Sequence, residues 1–453
     1  MKDKKVYNFF PPQSLILWYF FCMENNILKR IFFDENQHWE KFKNKYKRKI
    51  RPIVTKEVEK FRDCGNPKKG FKLFVCEGCH DVRKVPYRCK GRFCTTCSVG
   101  ESEEWSRLLT EDVLQVNHRH VIFTIDEGLR DVFLLHRHLL KDLMDAAAKL
   151  LINFFQKKAK VTPGIIAGLH TFGSRVNFNP HVHMLVTMGG LTKKGEWKQY
   201  DFLPFAMLRK QWQTVVLKFI RKGLSPREKK QVQARLQKAF TNNEEGFYVH
   251  APKQKGNLKE QLRYIGRYIR RPAIGINRIE AYDGQNVIFK YKDKTDGKEK
   301  METVSVEEFI SRLIRHIPDE QFKTIRHYGM YSRRSKKQSK KVLSAWQQKA
   351  KRWIVKVKKT LRRQTWRERI VASGKKDPLV CPKCQCYYEY KGEVCLEDGK
   401  LEIKVALCQT TRTYLERVIH DLTGIKSSQK REEKEELQPV HETERQLCLF
   451  NVS

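Results

Sequence analysis

The chain has 453 residues, 40% of them apolar, enough for about two to four domains with real cores. Lysine and arginine number 92 against 51 aspartates and glutamates, a formal net charge of +41. So positive a chain favours a polyanionic partner, nucleic acid above all, although charge alone also fits a ribosome-associated or merely soluble basic protein. The 13 cysteines include CxxC pairs in a basic chain without a secretory signal, which points to zinc and away from disulfides. The apolar run 14–22 is far short of the roughly 20 residues of a membrane span and lacks a small-residue cleavage site, so no membrane partner is expected and the expected compartment is the cytoplasm.

In chain order, residues 1–34 read as an N-terminal extension, with Met23 a candidate natural start. Trp39, Phe42, Tyr46, Ile50, Ile53, Val54 and Val58 recur at helical spacing, which predicts a basic helix over 35–62 leading into a cysteine cluster at 64–98. Residues 103–117 read as helix and Val121 to Ile125 as a strand. A long amphipathic helix is predicted over 131–158. Gly164–Phe172 and Val182–Met188 read as strands joined by a turn-rich connector from Gly173 to Pro180. A basic helix follows over 203–240, a short helix over 258–269 before Pro272, a hairpin around Asp283-Gly284, and a helix over 306–316. Residues 333–369 are very basic, with Trp346, Trp353 and Trp366, and a second cysteine cluster spans 381–395. The tail beyond Gly424 is charged and reads as disordered. The fold class is α+β, an antiparallel-sheet core flanked by helices. The expected domains are a basic helix with a zinc-binding domain (35–109), the core (110–295), a basic helical DNA-binding region (296–375), a C-terminal zinc knuckle (376–410) and a tail (411–453).

Cys76-Glu77-Gly78-Cys79 and Cys94-Thr95-Thr96-Cys97 are two knuckles at zinc-ribbon spacing. A metal held by four thiolates replaces a hydrophobic core that so short a segment cannot build. The expected ligands are Cys76, Cys79, Cys94 and Cys97, with Cys64 and Cys89 available to a second or alternative site. Lys84, Tyr87, Arg88, Lys90 and Arg92 nearby suit phosphates, or are simply solvated surface. Cys381 and Cys384 form a further zinc knuckle, with Cys386 and Cys395 close by.

His181 and His183, two apart on a predicted strand, leave the same face of the sheet, while Val182 points into apolar packing. Pairing 164–172 with 181–188 would bring His170 beside them as a third metal ligand. Alone, the HxH pattern is equally an ordinary surface or core pair. Tyr264 and Tyr268 share one helix face, amid Arg263, Arg267, Arg270 and Arg271. A YxxxY pair is most often core packing, but a tyrosine among cations can attack a phosphate, because its hydroxyl needs positive charge or a base to ionise at neutral pH.

In that order, the cysteine ribbon, Asn179-Pro180-His181-Val182-His183 and Tyr264-Ile265-Gly266-Arg267-Tyr268 resemble the two-tyrosine HUH transposases of rolling-circle insertion sequences, the IS91 group. His118-Arg119-His120-Val121-Ile122-Phe123-Thr124, His170-Thr171-Phe172-Gly173, Arg271-Pro272-Ala273-Ile274, Ile325-Arg326-His327-Tyr328-Gly329 and Asp377-Pro378-Leu379-Val380-Cys381-Pro382-Lys383-Cys384 add to the resemblance, which runs from about 35 to about 400. It implies an HUH endonuclease core that nicks and rejoins single-stranded DNA at element ends through a 5′-phosphotyrosine intermediate. It also implies Mg²⁺ or Mn²⁺ at His181, His183 and His170, Zn²⁺ at the cysteine clusters, nucleophiles at Tyr264 and Tyr268, and single- and double-stranded DNA as partners. A relaxase or replication initiator would use the same chemistry. A non-catalytic zinc-ribbon nucleic-acid binder would explain the charge and cysteines but leave the histidine and tyrosine pairs accidental.

Overall fold

The computed structural model describes residues 26–114, 116–251, 272–293, 295–349, 364–372, 376–397 and 400–403. The strands, in chain order, are β1 (Phe71–Cys76), β2 (Val82–Pro86), β3 (His118–Phe123), β4 (Gly164–Phe172), β5 (Phe178–Thr187), β6 (Gly189–Leu191), β7 (Trp197–Gln199), β8 (Val249–His250), β9 (Ile279–Tyr282), β10 (Asn286–Lys292), β11 (Glu299–Ser305), β12 (Ile325–Gly329), β13 (Tyr388–Glu397) and β14 (Lys400–Ile403). The chain divides into two compact units. Of the described residues, one holds 59–90 and those from 364 onwards; the other holds 26–58 and those between 91 and 349.

The larger unit is built on an antiparallel sheet whose described strands run in the order β12-β4-β5-β3-β8. Strand alternation separates its two faces. Val121, Phe123, Ile165, Ala167, Leu169, Val182, Met184 and Val186 join one apolar core with residues of the helices Leu139–Ala159 and Phe205–Gly223. The residues between them in sequence, including His120, His170, His181 and His183, occupy the other face. The edge strand β12 pairs with β4 from Ile325↔Gly168 to Gly329↔Gly164, so the sheet draws on residues beyond the 110–295 span read from the sequence. A second sheet, β11-β10-β9, carries the helix Val306–Ile314 against it, with Phe289 and Phe309 ring centroids 5.9 Å apart.

Several long helices expected from periodicity are interrupted. The stretch 35–62 forms two helices, His38–Lys45 and Pro52–Asp63, because the residue before a proline is pushed out of helical backbone and Pro52 is well placed to open a new helix. The stretch 203–240 breaks at Ser225, whose side chain forms a capping box with Glu228 ahead of the helix Pro226–Thr241. The stretch 131–158 breaks between Arg130–Leu135 and Leu139–Ala159. There the intervening residues take tertiary partners: His136 with Glu228 at 3.4 Å, Arg137 with Asp319 at 3.2 Å, and His138 with the Gly223 carbonyl at 3.1 Å. Periodicity cannot register such contacts.

The smaller unit holds an antiparallel sheet ordered β14-β13-β1-β2. Its central pair joins the N-terminal cysteine region to the C-terminal one, running from Phe71↔Val394 to Cys76↔Tyr388 with an irregularity between Leu73 and Phe74.

Candidate metal centre

Strand register creates the histidine cluster. β4 and β5 pair antiparallel with His170 opposite His181 and Gly168 opposite His183. Directly paired residues place their side chains on one face, and the residue two further along β5 shares it. The ring centroids are 5.5 Å apart for His170–His181, 4.4 Å for His170–His183 and 4.8 Å for His181–His183. One ligand atom from each lies within 4.8 Å of the others, a spacing that can surround one ion. Gly168, opposite His183, carries no side chain of its own.

Hydrogen bonds orient the rings. His181 Nδ1 is 2.7 Å from the Asn179 carbonyl oxygen, to which it donates in the Nδ1–H tautomer, so Nε2 is the nitrogen presented to a metal. His183 Nδ1 is 2.9 Å from His120 Nε2, and these two rings stack with centroids 5.1 Å apart. Burial, reinforced by His170, His181 and His120, holds the His183 pKa well below its ordinary value, so His183 is neutral at pH 7 and its nitrogen lone pair is available. His120 is pushed down to about 4, first by burial and then by His250. His250 lies on β8, whose residue pairs with Ile122 of β3.

The connector that closes the β4–β5 hairpin is tied down on both sides. His316 bonds Thr171 Oγ1 at 3.1 Å and the Val176 carbonyl at 3.0 Å. Arg175 pairs with Glu302 at 2.8 Å, and Arg312 reaches the same carboxylate at 2.9 Å. The pairing that sets His170 opposite His181 is therefore anchored at its turn.

His120 is not among the site residues expected above, although the sequence carries a signal for it. His118-Arg119-His120 repeats the two-residue spacing of His181-Val182-His183 on a neighbouring strand, and Val121 and Phe123 turn into the apolar core, leaving His120 on the histidine face. Tyr264, Tyr268, Arg263, Arg267, Arg270 and Arg271 lie outside the described residues.

The cysteines group differently from the sequence expectation. Cys76 and Cys79 meet Cys381 and Cys384, with all four sulfurs within 4.8 Å of one another, instead of meeting Cys94 and Cys97. The reason is the β1–β13 pairing, which brings the start of β13 beside the end of β1. Cys94 caps the helix Thr95–Asp112, its sulfur accepting the Cys97 amide at 3.4 Å. Cys64 accepts the Cys89 amide at 3.4 Å. Among the described residues, no cysteine forms a disulfide.

Comparisons with known proteins agree with this architecture. A family model described as "Transposase zinc-binding domain" matches residues 35–125, and one described as "Putative transposase" matches 164–340, together more than half of the chain. The chain is similar to the "Transposase for insertion sequence element IS801" of Pseudomonas savastanoi pv. phaseolicola, at 28% identity over 298 residues, 63% of this chain and 72% of that protein. It is also similar to "Putative transposase y4qJ" of Sinorhizobium fredii (strain NBRC 101917 / NGR234), at 27% identity over 294 residues, 61% of this chain and 73% of that protein. No solved structure matches the chain. The helix-flanked antiparallel sheet and the cysteine clusters are thus those of a transposase with an N-terminal zinc-binding domain. The chain belongs to the IS91 family of insertion-sequence transposases, a DNA-processing class. Among the described residues, no helix is long and apolar enough to cross a membrane.

Proposed function

We propose that this transposase nicks and rejoins single-stranded DNA at insertion-sequence ends, using His170, His181 and His183 to hold a divalent ion and Tyr264 or Tyr268 as the nucleophile. The observation that carries the reading is the convergence of the three histidines on one sheet face. Imidazole nitrogens, with no carboxylate among the three, fit Mn²⁺ better than Mg²⁺, because Mg²⁺ prefers oxygen donors. When bound, the ion supplies positive charge against a non-bridging phosphate oxygen and fixes the orientation of the scissile bond.

The remaining work falls to the chain. The tyrosine hydroxyl gives up its proton, its oxygen bonds to phosphorus, and the P–O3′ bond breaks. The leaving 3′ oxygen takes up a proton, and the 5′ phosphate stays on the protein as a tyrosine ester. Attack by a 3′ hydroxyl reverses the exchange and frees the tyrosine without ATP. A second tyrosine four residues away allows a second transfer before the first is resolved. Arg263, Arg267, Arg270 and Arg271 supply cations that favour the phenolate and bind phosphates. The net charge of +41 favours the DNA backbone as partner for single- and double-stranded segments alike.

The test is incubation of the full-length protein with a labelled single-stranded oligonucleotide carrying the element end, plus Mn²⁺ or Mg²⁺. The expected product is a covalent protein–DNA adduct that survives boiling in detergent and disappears in the Tyr264→Phe/Tyr268→Phe double variant and with EDTA. Tight binding with no adduct on cognate DNA would sink the nuclease reading and favour a non-catalytic binder.

A further inference from the structure

The two ends of the smaller unit carry a repeated local structure. In the first knuckle the amide of His80 donates to the Cys76 carbonyl at 3.1 Å, the Cys76 amide donates to the Asp81 carbonyl at 2.9 Å, and His80 takes the left-handed conformation with φ 57°. In the second, the amide of Gln385 donates to the Cys381 carbonyl at 3.0 Å, the Cys381 amide donates to the Cys386 carbonyl at 2.8 Å, and Gln385 has φ 63°. Each CxxC is thus followed by a left-handed residue and closed by the same pair of hydrogen bonds. Neither His nor Gln adopts that backbone cheaply, so the turn is imposed by the closure that turns both sulfurs of a knuckle inward.

The knuckles face each other. Cys76 Sγ lies 3.3 Å from Cys384 Sγ, and Cys79 Sγ lies 3.6 Å from Cys381 Sγ. These separations far exceed the roughly 2.05 Å of a disulfide. They approach the ~3.8 Å between sulfurs set tetrahedrally at about 2.3 Å from one zinc. The close approach needs Gly78, where a Cβ would come 2.5 Å from the Cys386 sulfur and 3.2 Å from the Cys384 sulfur. Asp81 ties the halves together outside the sulfurs, accepting from Lys383 Nζ at 2.5 Å and from the Tyr388 hydroxyl at 2.6 Å. The Glu77 amide donates to the Tyr387 carbonyl at 3.1 Å, continuing the β1–β13 ladder to the knuckles themselves.

We propose that Cys76, Cys79, Cys381 and Cys384 bind a single Zn²⁺ between them. The N-terminal knuckle is then half of a site whose other half is supplied by the C-terminal segment, and the separate C-terminal zinc knuckle expected from the sequence does not exist as an independent site. The ion bridges positions 308 and 302 apart along the chain. Because the unfolded chain holds no such preformed site, binding stabilises the folded smaller unit, and closing so long a loop makes its ends depend on each other.

The experiment measures zinc per chain by elemental mass spectrometry in the full-length protein and in three variants: Cys76→Ala/Cys79→Ala, Cys381→Ala/Cys384→Ala, and all four combined. Each pair should lose one equivalent of zinc, and the combined variant should lose no more than one. Two equivalents lost in the combined variant, or full retention in the C-terminal pair, would overturn the shared site. Conservative variants guard against simple misfolding. With cobalt in place of zinc, Cys76→His and Cys384→His should each convert the same chromophore from four sulfurs to three sulfurs and one nitrogen. The double variant should show one two-sulfur, two-nitrogen centre; two three-sulfur centres instead would refute the proposal. None of these readouts depends on nuclease activity.

Discussion

His120 Nε2 stands 2.9 Å from His183 Nδ1, across the pairing of β3 with β5. This contact decides which nitrogen of His183 is available. For His183 to offer a lone pair at Nε2, its Nδ1 must carry the proton and donate it to His120, which must in turn keep its own proton on Nδ1. His120 is therefore a positioning residue for the proposed metal ligand. Replacing it with alanine should raise the metal concentration needed for adduct formation by about 10–100-fold, with the rate at saturating metal less affected. His120→Gln, which can still accept from His183, should recover part of the affinity. Metal titrations of adduct formation measure both variants, and an unchanged metal requirement in His120→Ala would remove the role.

The donor set makes a prediction about metal preference. Three imidazoles should favour Mn²⁺ over Mg²⁺, giving half-maximal adduct formation at a concentration at least about 10-fold lower. His181→Ala or His183→Ala should abolish the Mn²⁺ dependence together with most of the activity. Equal requirements for the two ions would indicate that oxygen donors from elsewhere dominate the site.

Val182 separates stability from function at the same strand. It lies between the two ligands in sequence but points into the opposite, apolar face, fully buried beside Met184 and Val186. Val182→Ala should cost about 2 kcal/mol of stability in urea denaturation through lost burial and a residual cavity. Metal affinity should stay within about 3-fold of the parent protein. A large affinity loss with unchanged stability would mean that the strand's faces are assigned the wrong way round.

Two buried histidines away from the centre give a stability profile with a definite sign. His118 is sandwiched between the Val116 carbonyl at 2.7 Å and the Tyr331 hydroxyl at 2.6 Å, and burial pushes its pKa down to about 4. His316 is pushed to about 4 in the same way, by burial and then by Arg137 and Arg315 against the opposing Val176 carbonyl. Unfolded histidine titrates near 6.5, so between pH 6.5 and 4 the unfolded chain takes up protons that the folded chain refuses. Stability from these residues is complete above about pH 6.5 and falls as the pH drops towards 4, by on the order of 3 kcal/mol for each. Urea midpoints from pH 8 to pH 5 should decline less steeply in His316→Gln than in the parent protein. Parallel curves would contradict the assignment.

Much of the centre can be read from spacing alone, because strand geometry is local. Two residues apart on a strand means one face, so His181 and His183 follow directly from Pro180-His181-Val182-His183, and His170 follows once the flanking strands form a hairpin. His120 is harder, because its spacing to His118 says nothing about which strand β3 lies beside. The helix interruptions at His136–His138 were not readable either, since partners such as Asp319 are remote in sequence. The interruptions at Pro52 and at Ser225 had local chemistry to mark them, a proline and a capping box, which an apolar period alone passes over.

By itself, then, the sequence determined the α+β class, the transposase motifs and their order, and the residue types at each candidate metal position. Tertiary structure decided the company those residues keep: His120 against His183, and Cys76 and Cys79 against Cys381 and Cys384. The physical reason is the range of the interactions. A knuckle or an HxH strand is shaped by hydrogen bonds a few residues long. Which knuckle faces which is set by the β1–β13 ladder, which joins segments some three hundred residues apart and leaves no periodic trace in either.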